Sequence, residues 1–363
     1  MRFIQLNSSL TFGDAITQHA FEIDNALREW GFETYIYADS IDKNFAKFGY
    51  VLPDHVDLDK HYNKFKNNRE DILFYHYSHY CENVMLYKES KNKKIFEYHN
   101  ITPYQYFRNY DITYEISCIR GRRELFNLHN CDFAVGDSEY NMRELLGYNF
   151  DKKNTGVLPI FTSFEKFENA KINKKIVEQF NDGSVNFLFV GRIAPNKKIE
   201  DIIKCFYYYH RFVNPHSRLF LSGPSILKKY DAELKSLVHQ LDLGKSVIFT
   251  ERISVSDLKT YYTLSHAFLC MSEHEGFCVP LLESMYFKLP ILAYNSTAIP
   301  YTLDKSGILI NKKQFAEIAE LMNVVVENSQ LRSQLIRKQQ ERLKDFSPEN
   351  IKSQLKDVID RVL

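Results

Sequence analysis

The chain has 363 residues, with 47 Lys and Arg against 46 Asp and Glu, a formal net charge of +1, and 44% apolar and 26% charged residues. This is globular composition, long enough for two domains of roughly 150–200 residues each, and the charge balance gives no electrostatic footprint for general nucleic-acid binding. No apolar run approaches the ~20 residues of a membrane span, and the N-terminal MRFIQLNSS is too short an apolar stretch for a signal peptide.

The six cysteines, Cys81, Cys118, Cys131, Cys205, Cys270 and Cys278, show neither CxxC nor zinc-ligand spacing. They read as reduced thiols of a cytoplasmic protein.

In chain order, short apolar, β-branched or aromatic runs alternate with 3.6-period stretches. The first half predicts strands at Arg2–Asn7, Thr34–Ala38, Ile72–Tyr77, Lys94–Tyr98, Asp132–Val135 and Gly156–Pro159. Between the first two, Ile16, Ala20, Ile23, Leu27 and Trp30 mark one helix face, with Asp14 placed as N-cap and Gly31 as terminator. After a charged, low-apolar stretch near Phe164–Ser184, a second series predicts strands at Val185–Val190, Arg218–Leu221, Ser246–Phe249, Ala267–Met271, Ile291–Tyr294 and Gly307–Ile310. A long helical region over Lys313–Lys344 and a last amphipathic helix from Ser347-Pro348 to Leu363 follow. The pattern implies two nucleotide-fold α/β domains in tandem, with a ligand at the carboxyl ends of the strands.

The most informative segment runs from Ser272 to Tyr286. It follows a predicted strand, turns at Gly276, and places Pro280 near the first turn of a helix. Backbone N–H groups of Gly276, Phe277, Cys278 and Val279, with the helix N-terminus, suit a diphosphate. Glu275 lies in the loop and Glu283 in the first helical turn; both can face a ligand, or Glu283 can simply favour the helix dipole and Glu275 be solvated. The second segment, Phe189–Lys198, puts Gly191 at a strand end and Arg192 and Lys197 in the following loop. A guanidinium and an ammonium there suit the two phosphates of a leaving diphosphate, or form a solvated basic turn. It is no Walker loop, because the Gly-Lys-Ser/Thr ending is missing.

In order and spacing these segments, with Ser222-Gly223-Pro224 after a strand, Asp137-Ser138-Glu139-Tyr140 before a helix and Val157-Leu158-Pro159 near the domain junction, resemble the retaining GT-B glycosyltransferases of the large family 4, the glycosyl transferases group 1. The resemblance implies two Rossmann-like domains facing across a cleft: residues 1–165 on the acceptor side, 166–345 on the nucleotide-sugar donor side, and 346–363 a helix crossing back to the first domain. It also implies that Arg192 and Lys197 bind the nucleotide diphosphate, Glu283 the ribose hydroxyls, and Glu275 the donor sugar near its anomeric carbon. Gly13, Gly191 and Gly223 would line the donor site, Gly13 allowing close approach of the phosphates or acceptor. Transfer would keep the anomeric configuration and need no metal or other cofactor. The partners implied are a nucleotide-sugar donor and a glycan or lipid-linked glycan acceptor, with the enzyme cytoplasmic or peripheral at the inner membrane face. Other GT-B outcomes compatible with the pattern are a sugar-nucleotide epimerase and a non-catalytic nucleotide-sugar-binding subunit.

The first domain carries weaker signals. In Phe12–Ile16, relatives carry two adjacent glycines where this chain has Gly13-Asp14; Asp14 reads as an N-cap, and as an acceptor-side contact only secondarily. His99, in Glu97-Tyr-His-Asn, matches the family's cleft histidine and is expected to meet the donor sugar or acceptor. His76 and His79 read as cleft lining or structure, with no Asp, Glu or Cys set nearby in sequence to complete a metal site. Arg120, Arg122 and Arg123, on a helix predicted over Ile116–Asn127, form a solvated face or a patch for a lipid diphosphate or anionic membrane. Beside them Tyr104, Tyr106, Phe107 and Tyr110 could stack on sugar rings.

Overall fold

The hexapeptide Ile72–Tyr77 is buried along its whole length, as are most residues of Arg2–Asn7, Lys93–Tyr98 and Val185–Val190. Strands read this way when helices cover both faces of a parallel sheet. The computed structural model describes residues 1–11, 13–42, 56–57 and 67–363, so Phe12 lies outside the described residues. Its strands are β1 (Arg2–Asn7), β2 (Glu33–Ala38), β3 (Val56–Asp57), β4 (Ile72–Tyr77), β5 (Lys93–Tyr98), β6 (Phe133–Gly136) and β7 (Thr155–Val157), then β8 (Val185–Val190), β9 (Ser217–Ser222), β10 (Val247–Glu251), β11 (Ala267–Cys270), β12 (Ile291–Tyr294) and β13 (Ile308–Ile310). Among the described residues they form a seven-stranded sheet, order β3-β2-β1-β4-β5-β6-β7, and a six-stranded sheet, order β10-β9-β8-β11-β12-β13. All pairings are parallel.

Each order reverses direction once, between β1 and β4 in the first sheet and between β8 and β11 in the second. At such a switch point the loops leaving neighbouring strands run to opposite faces and open a crevice beyond the strand ends. The chain divides into two compact units. The first takes Met1–Gln105, Thr113–Thr162 and Phe346–Leu363; the second takes Tyr106–Ile112 and Ser163–Asp345.

Local chemistry sets the helix limits. Asp14 caps the helix Ala15–Glu29, its carboxylate accepting from Ile16 N at 3.1 Å and Thr17 N at 3.3 Å. Asp14→Ala should therefore cost the first unit about 1 kcal/mol, measurable by urea denaturation. The helical stretch Lys313–Lys344 is not continuous. It breaks into Phe315–Glu327 and Ser329–Leu343 because the Asn328 side chain accepts from Leu331 N at 2.9 Å and starts a new helix.

The last helix, Pro348–Asp360, is capped by Ser347 and buries Ile351, Leu355, Val358 and Ile359. Within the first unit it pairs Lys352 with Glu29 and lays Arg361 5.2 Å over the Phe133 ring. Lys93 also donates to the Leu363 carbonyl at 2.8 Å. Among the described residues no helix is long and apolar enough to cross a membrane.

Candidate active site

In the second unit, the switch point between β8 and β11 gathers the segments singled out above. Gly191 ends β8 with φ 147°, and Gly223 follows β9 with φ 144°. The two backbones meet so closely that a Cβ on Gly223 would lie 2.0 Å from the Gly191 carbonyl oxygen. Gly191 N donates to Ser222 O, and Gly223 N to Glu251 O. The loop leaving β8 is thereby fixed at its root, with Arg192 exposed and without a hydrogen-bond or ion-pair partner among the described residues.

The next residues form a 3-10 turn, Pro195–Lys197, stitched to the loop that follows β11. Glu273 N donates to Asn196 O at 2.9 Å, and Asn196 Nδ2 donates to His274 O at 3.0 Å. This places Lys197 Nζ 2.5 Å from Glu275 Oε2. Glu275 is 7% exposed, so it is a seated ion-pair partner and not a solvated loop carboxylate. Its N–H donates to Thr297 Oγ1 at 2.9 Å. Ser296 Oγ donates to Ser272 O at 2.6 Å, and Thr302 Oγ1 to Phe277 O at 2.7 Å. These bonds hold the Ser272–Phe277 loop along its length.

Cys278 then takes a left-handed conformation, φ 74° and ψ 66°, as N-cap of the helix Val279–Tyr286, with Pro280 in its first turn. A non-glycine residue there stores backbone strain, a feature that clusters at functional loops. The first-turn N–H groups lack intrahelical partners by construction and point toward the loop. Glu283 stands one turn further into the helix than the spacing suggested. It is buried, accepting from Lys166 Nζ at 2.8 Å and from the Tyr262 hydroxyl at 3.0 Å. Burial, and then the Glu283 charge, push the Tyr262 phenol well above its ordinary value. Lys166, Tyr262, Asn196 and Thr297 carry no motif and were invisible in the sequence. Only the folded chain brings them to the two glutamates.

The Cys270 and Cys278 sulfurs and a Glu275 oxygen all lie within 4.8 Å of one another. Two cysteines that sequence spacing left unconnected are therefore neighbours. The Lys197 ammonium on Glu275 already supplies the cation such a trio would seek.

Tyr106 and Tyr110 belong to this unit as well. The Tyr106 hydroxyl donates to Glu273 at 3.3 Å and that of Tyr110 to Glu233 at 2.8 Å. Lys313 bridges Asp201 at 2.7 Å and Glu273 at 2.6 Å.

In the first unit, the carboxyl ends of β4, β5 and β6 carry a buried polar array. His76 Nε2 lies 2.8 Å from Gln5 Oε1, while Gln5 Nε2 donates to Ala20 O at 3.0 Å. The Gln5 oxygen is thus an acceptor, and His76 Nε2 carries a proton. His19 Nδ1 accepts from Phe161 N at 2.8 Å, so its proton sits on Nε2 and donates to Glu97 Oε1 at 2.9 Å. A neutral imidazole used in this way has no nitrogen left for a metal, which makes the His19, His76 and Glu97 cluster a hydrogen-bonded array. Glu97 completes it from 21 positions beyond His76, a distance at which sequence inspection saw no carboxylate partner.

His99 lies at the centre of this array. Its side chain is fully enclosed, with Nε2 3.1 Å from His76 Nδ1 and Nδ1 2.8 Å from Asp137 Oδ1. Burial lowers His76 to about 4 and also lowers His99. Burial, then the Glu97 charge, raises Asp137 well above the carboxylate range. His76 Nδ1 also lies 2.8 Å from Glu97 Oε2, so that carboxylate faces the rings of both His19 and His76. Burial works against ionisation of Glu97, but His19, His99 and His76 outweigh it and hold that carboxyl below its usual range. Gly13 (φ 75°) precedes the Asp14 cap and has open space around its α-carbon.

The arginine patch is divided. The helix runs over Ile112–Glu124, with a 3-10 turn at Leu125–Asn127. Arg122 turns inward, donating to Ile101 O at 2.9 Å, Glu144 at 2.7 Å and Tyr148 at 3.3 Å. It is a clamp inside the unit, whereas Arg120, 4.1 Å over the Tyr80 ring, and Arg123 are exposed. Tyr104 opens a 3-10 turn and is half-buried.

Comparison with known proteins agrees with this geometry. Residues 170–342 match the family model described as Glycosyl transferases group 1. The chain is 24% identical to the O-antigen chain mannosyltransferase RfbU of Salmonella typhimurium, over 82% of this chain and 83% of that one. It is 26% identical to the alpha-monoglucosyldiacylglycerol synthase of Streptococcus pneumoniae over 53% of this chain, a match that spans only 42% of that protein. The crystal structure of Anabaena Alr3699/HepE in complex with UDP superposes with a TM-score of 0.76 at 15% identity, covering 99% of this chain and 100% of that one. The chain has the GT-B fold, and residues 170–342 of its second unit match the glycosyl transferases group 1.

Proposed function

We propose that this glycosyltransferase moves a sugar from a nucleotide-sugar donor to a glycan or lipid-linked glycan acceptor, with retention of anomeric configuration and without a metal. The observation that carries the reading is the Lys197–Glu275 pair at 2.5 Å, in the loop after β8 that Arg192 opens, itself without a partner among the described residues. Positive charge is fixed there before any ligand arrives, where a leaving diphosphate would develop negative charge. Arg192 and Lys197 bind that diphosphate, and the N–H groups at the start of the helix Val279–Tyr286 add donors to it. Glu275, anchored through its own backbone N–H, meets the donor sugar; Glu283, oriented by Lys166 and Tyr262, meets the ribose hydroxyls. The tight backbone crossing of Gly191 and Gly223 leaves no side chain between loop and phosphates. The enclosed His99 enters as a positioning residue for the segment that follows β5. Arg120 and Arg123, with Tyr104 nearby in sequence, are assigned to the acceptor side at a membrane surface. A relative named for O-antigen chain mannosyl transfer and a fold neighbour solved with UDP support the substrate classes.

Arg192→Ala should lower sugar transfer by roughly a hundredfold or more, while circular dichroism and melting temperature stay unchanged because this exposed side chain supports no other group. Transfer at the native rate would remove the diphosphate assignment. Proton NMR of the glycosidic product reads the anomeric outcome directly, and inversion would overturn the retaining assignment.

A further inference from the structure

Cys270 closes β11 and Cys278 caps the following helix, so the loop between them carries Glu275, Gly276 and Phe277. Their sulfurs lie within 4.8 Å of each other, Cys270 is buried, and Cys278 is half-buried on a left-handed backbone. We propose that Cys270 and Cys278 form an oxidisable dithiol whose disulfide disables the donor loop, an inference that rests on the donor-site reading above.

The chemistry balances as thiol–disulfide exchange with a small-molecule disulfide. The Cys278 thiolate attacks one sulfur of the reagent and expels the first thiolate, leaving a mixed disulfide on the half-exposed side. The Cys270 thiolate then attacks Cys278 Sγ and expels the second. Two protein thiols are oxidised, one disulfide is reduced to two thiols, and the protons from Cys270 and Cys278 pass to the departing thiolates. The geometry favours the second step, because Cys270 Sγ, held by its 3.3 Å hydrogen bond to Ser272 Oγ, stands within 4.8 Å of the Cys278 sulfur it must attack. A disulfide needs its sulfurs at about 2.0 Å, closer than two unbonded thiols can stand, so closure draws the Cys278 backbone toward β11. The residues displaced are those whose N–H groups the diphosphate would use. The other four cysteines lie outside this loop.

The test uses the full chain incubated with glutathione disulfide, then alkylated and digested. Two thiols should escape alkylation and one cross-linked peptide pair should join Cys270 to Cys278. The melting shift given by a nucleoside diphosphate should disappear, transfer should fall by an order of magnitude or more, and dithiothreitol should restore both. Cys270→Ser, or Cys270→Ala if serine does not fold, should stop at a mixed disulfide on Cys278 with no cross-linked peptide, and should keep its nucleotide shift and transfer when reduced. In the unsubstituted chain, recovery of both thiols alkylated, a stable glutathione adduct on Cys278 without the cross-link, or a cross-linked chain that still binds nucleotide normally would each overturn the proposal. If the cross-link forms in a chain that shows no nucleotide shift even when reduced, the dithiol stands and the donor-site reading is what fails.

Discussion

Gly223→Ala should abolish nucleotide binding by the second unit and destabilise that unit by about 4 kcal/mol or more, a size that marks a specific structural failure. The added methyl group would sit 2.0 Å from a backbone oxygen, that of Gly191, and 2.7 Å from its carbonyl carbon. Neither atom ends a flexible side chain, so β8 and β9 must separate at the point from which Arg192 departs. Gly183→Ala is the matched control. Gly183 has a comparably unfavourable φ of 83° but open space around the new methyl, so it should lose only the roughly 1–2 kcal/mol of left-handed strain and keep its nucleotide-induced melting shift. Equal behaviour of the two variants would show that the close approach is unimportant.

Glu97→Ala should cost the first unit about 3–5 kcal/mol, the range for removing one partner of a buried ionic network. The carboxylate takes the His19 Nε2 proton and lies 2.8 Å from His76 Nδ1, and its loss leaves both buried rings without that partner. Trp30 is the chain's single tryptophan and belongs to this unit, so its fluorescence during urea unfolding reads the stability of the unit that holds the array. A loss below about 1 kcal/mol would mean that the ring–ring contacts alone hold the strand ends.

The same array predicts acid sensitivity. His76 titrates near 4 in the folded unit against an ordinary 6.5, so as pH falls from about 6.5 toward 4 the unfolded chain binds protons that the folded chain does not. The lowered His99 acts in the same direction, and the lowered Glu97 removes further stability below its ordinary range. Asp137, raised, opposes them, since it already holds its proton when folded. The Trp30 transition should weaken steadily over that interval, and His76→Gln should flatten the slope.

Much of the scaffold was legible before folding because central parallel strands declare themselves. The runs Ile72–Tyr77, Val185–Val190 and Ile291–Tyr294 coincide with β4, β8 and β12, since burial on both faces demands unbroken apolar and aromatic residues. The edge strand Val56–Asp57 had no such run to reveal it. The break at Asn328 escaped notice because the apolar period continues across it, and only the side-chain cap interrupts the helix.

At the site, Gly191, Arg192, Lys197, Glu275 and Glu283 stood out because loops at strand ends concentrate glycine and charge. Their partners did not. Lys166 reaches Glu283 across 117 positions and His19 reaches Glu97 across 78, separations at which no local pattern survives. Arg122 was indistinguishable from Arg120 and Arg123 in sequence, and only the position of Glu144 turned it inward.

The first unit recruits residues 346–363 after the chain has passed through the whole of the second. During vectorial synthesis the second unit's polypeptide emerges entire while the first still lacks the helix that covers it through Ile351, Leu355, Val358 and Ile359. Domains ordinarily fold in the order they leave the ribosome; here the part begun first is finished last. A chain ending before residue 346 would leave the first unit with the apolar face that these four side chains cover open to solvent.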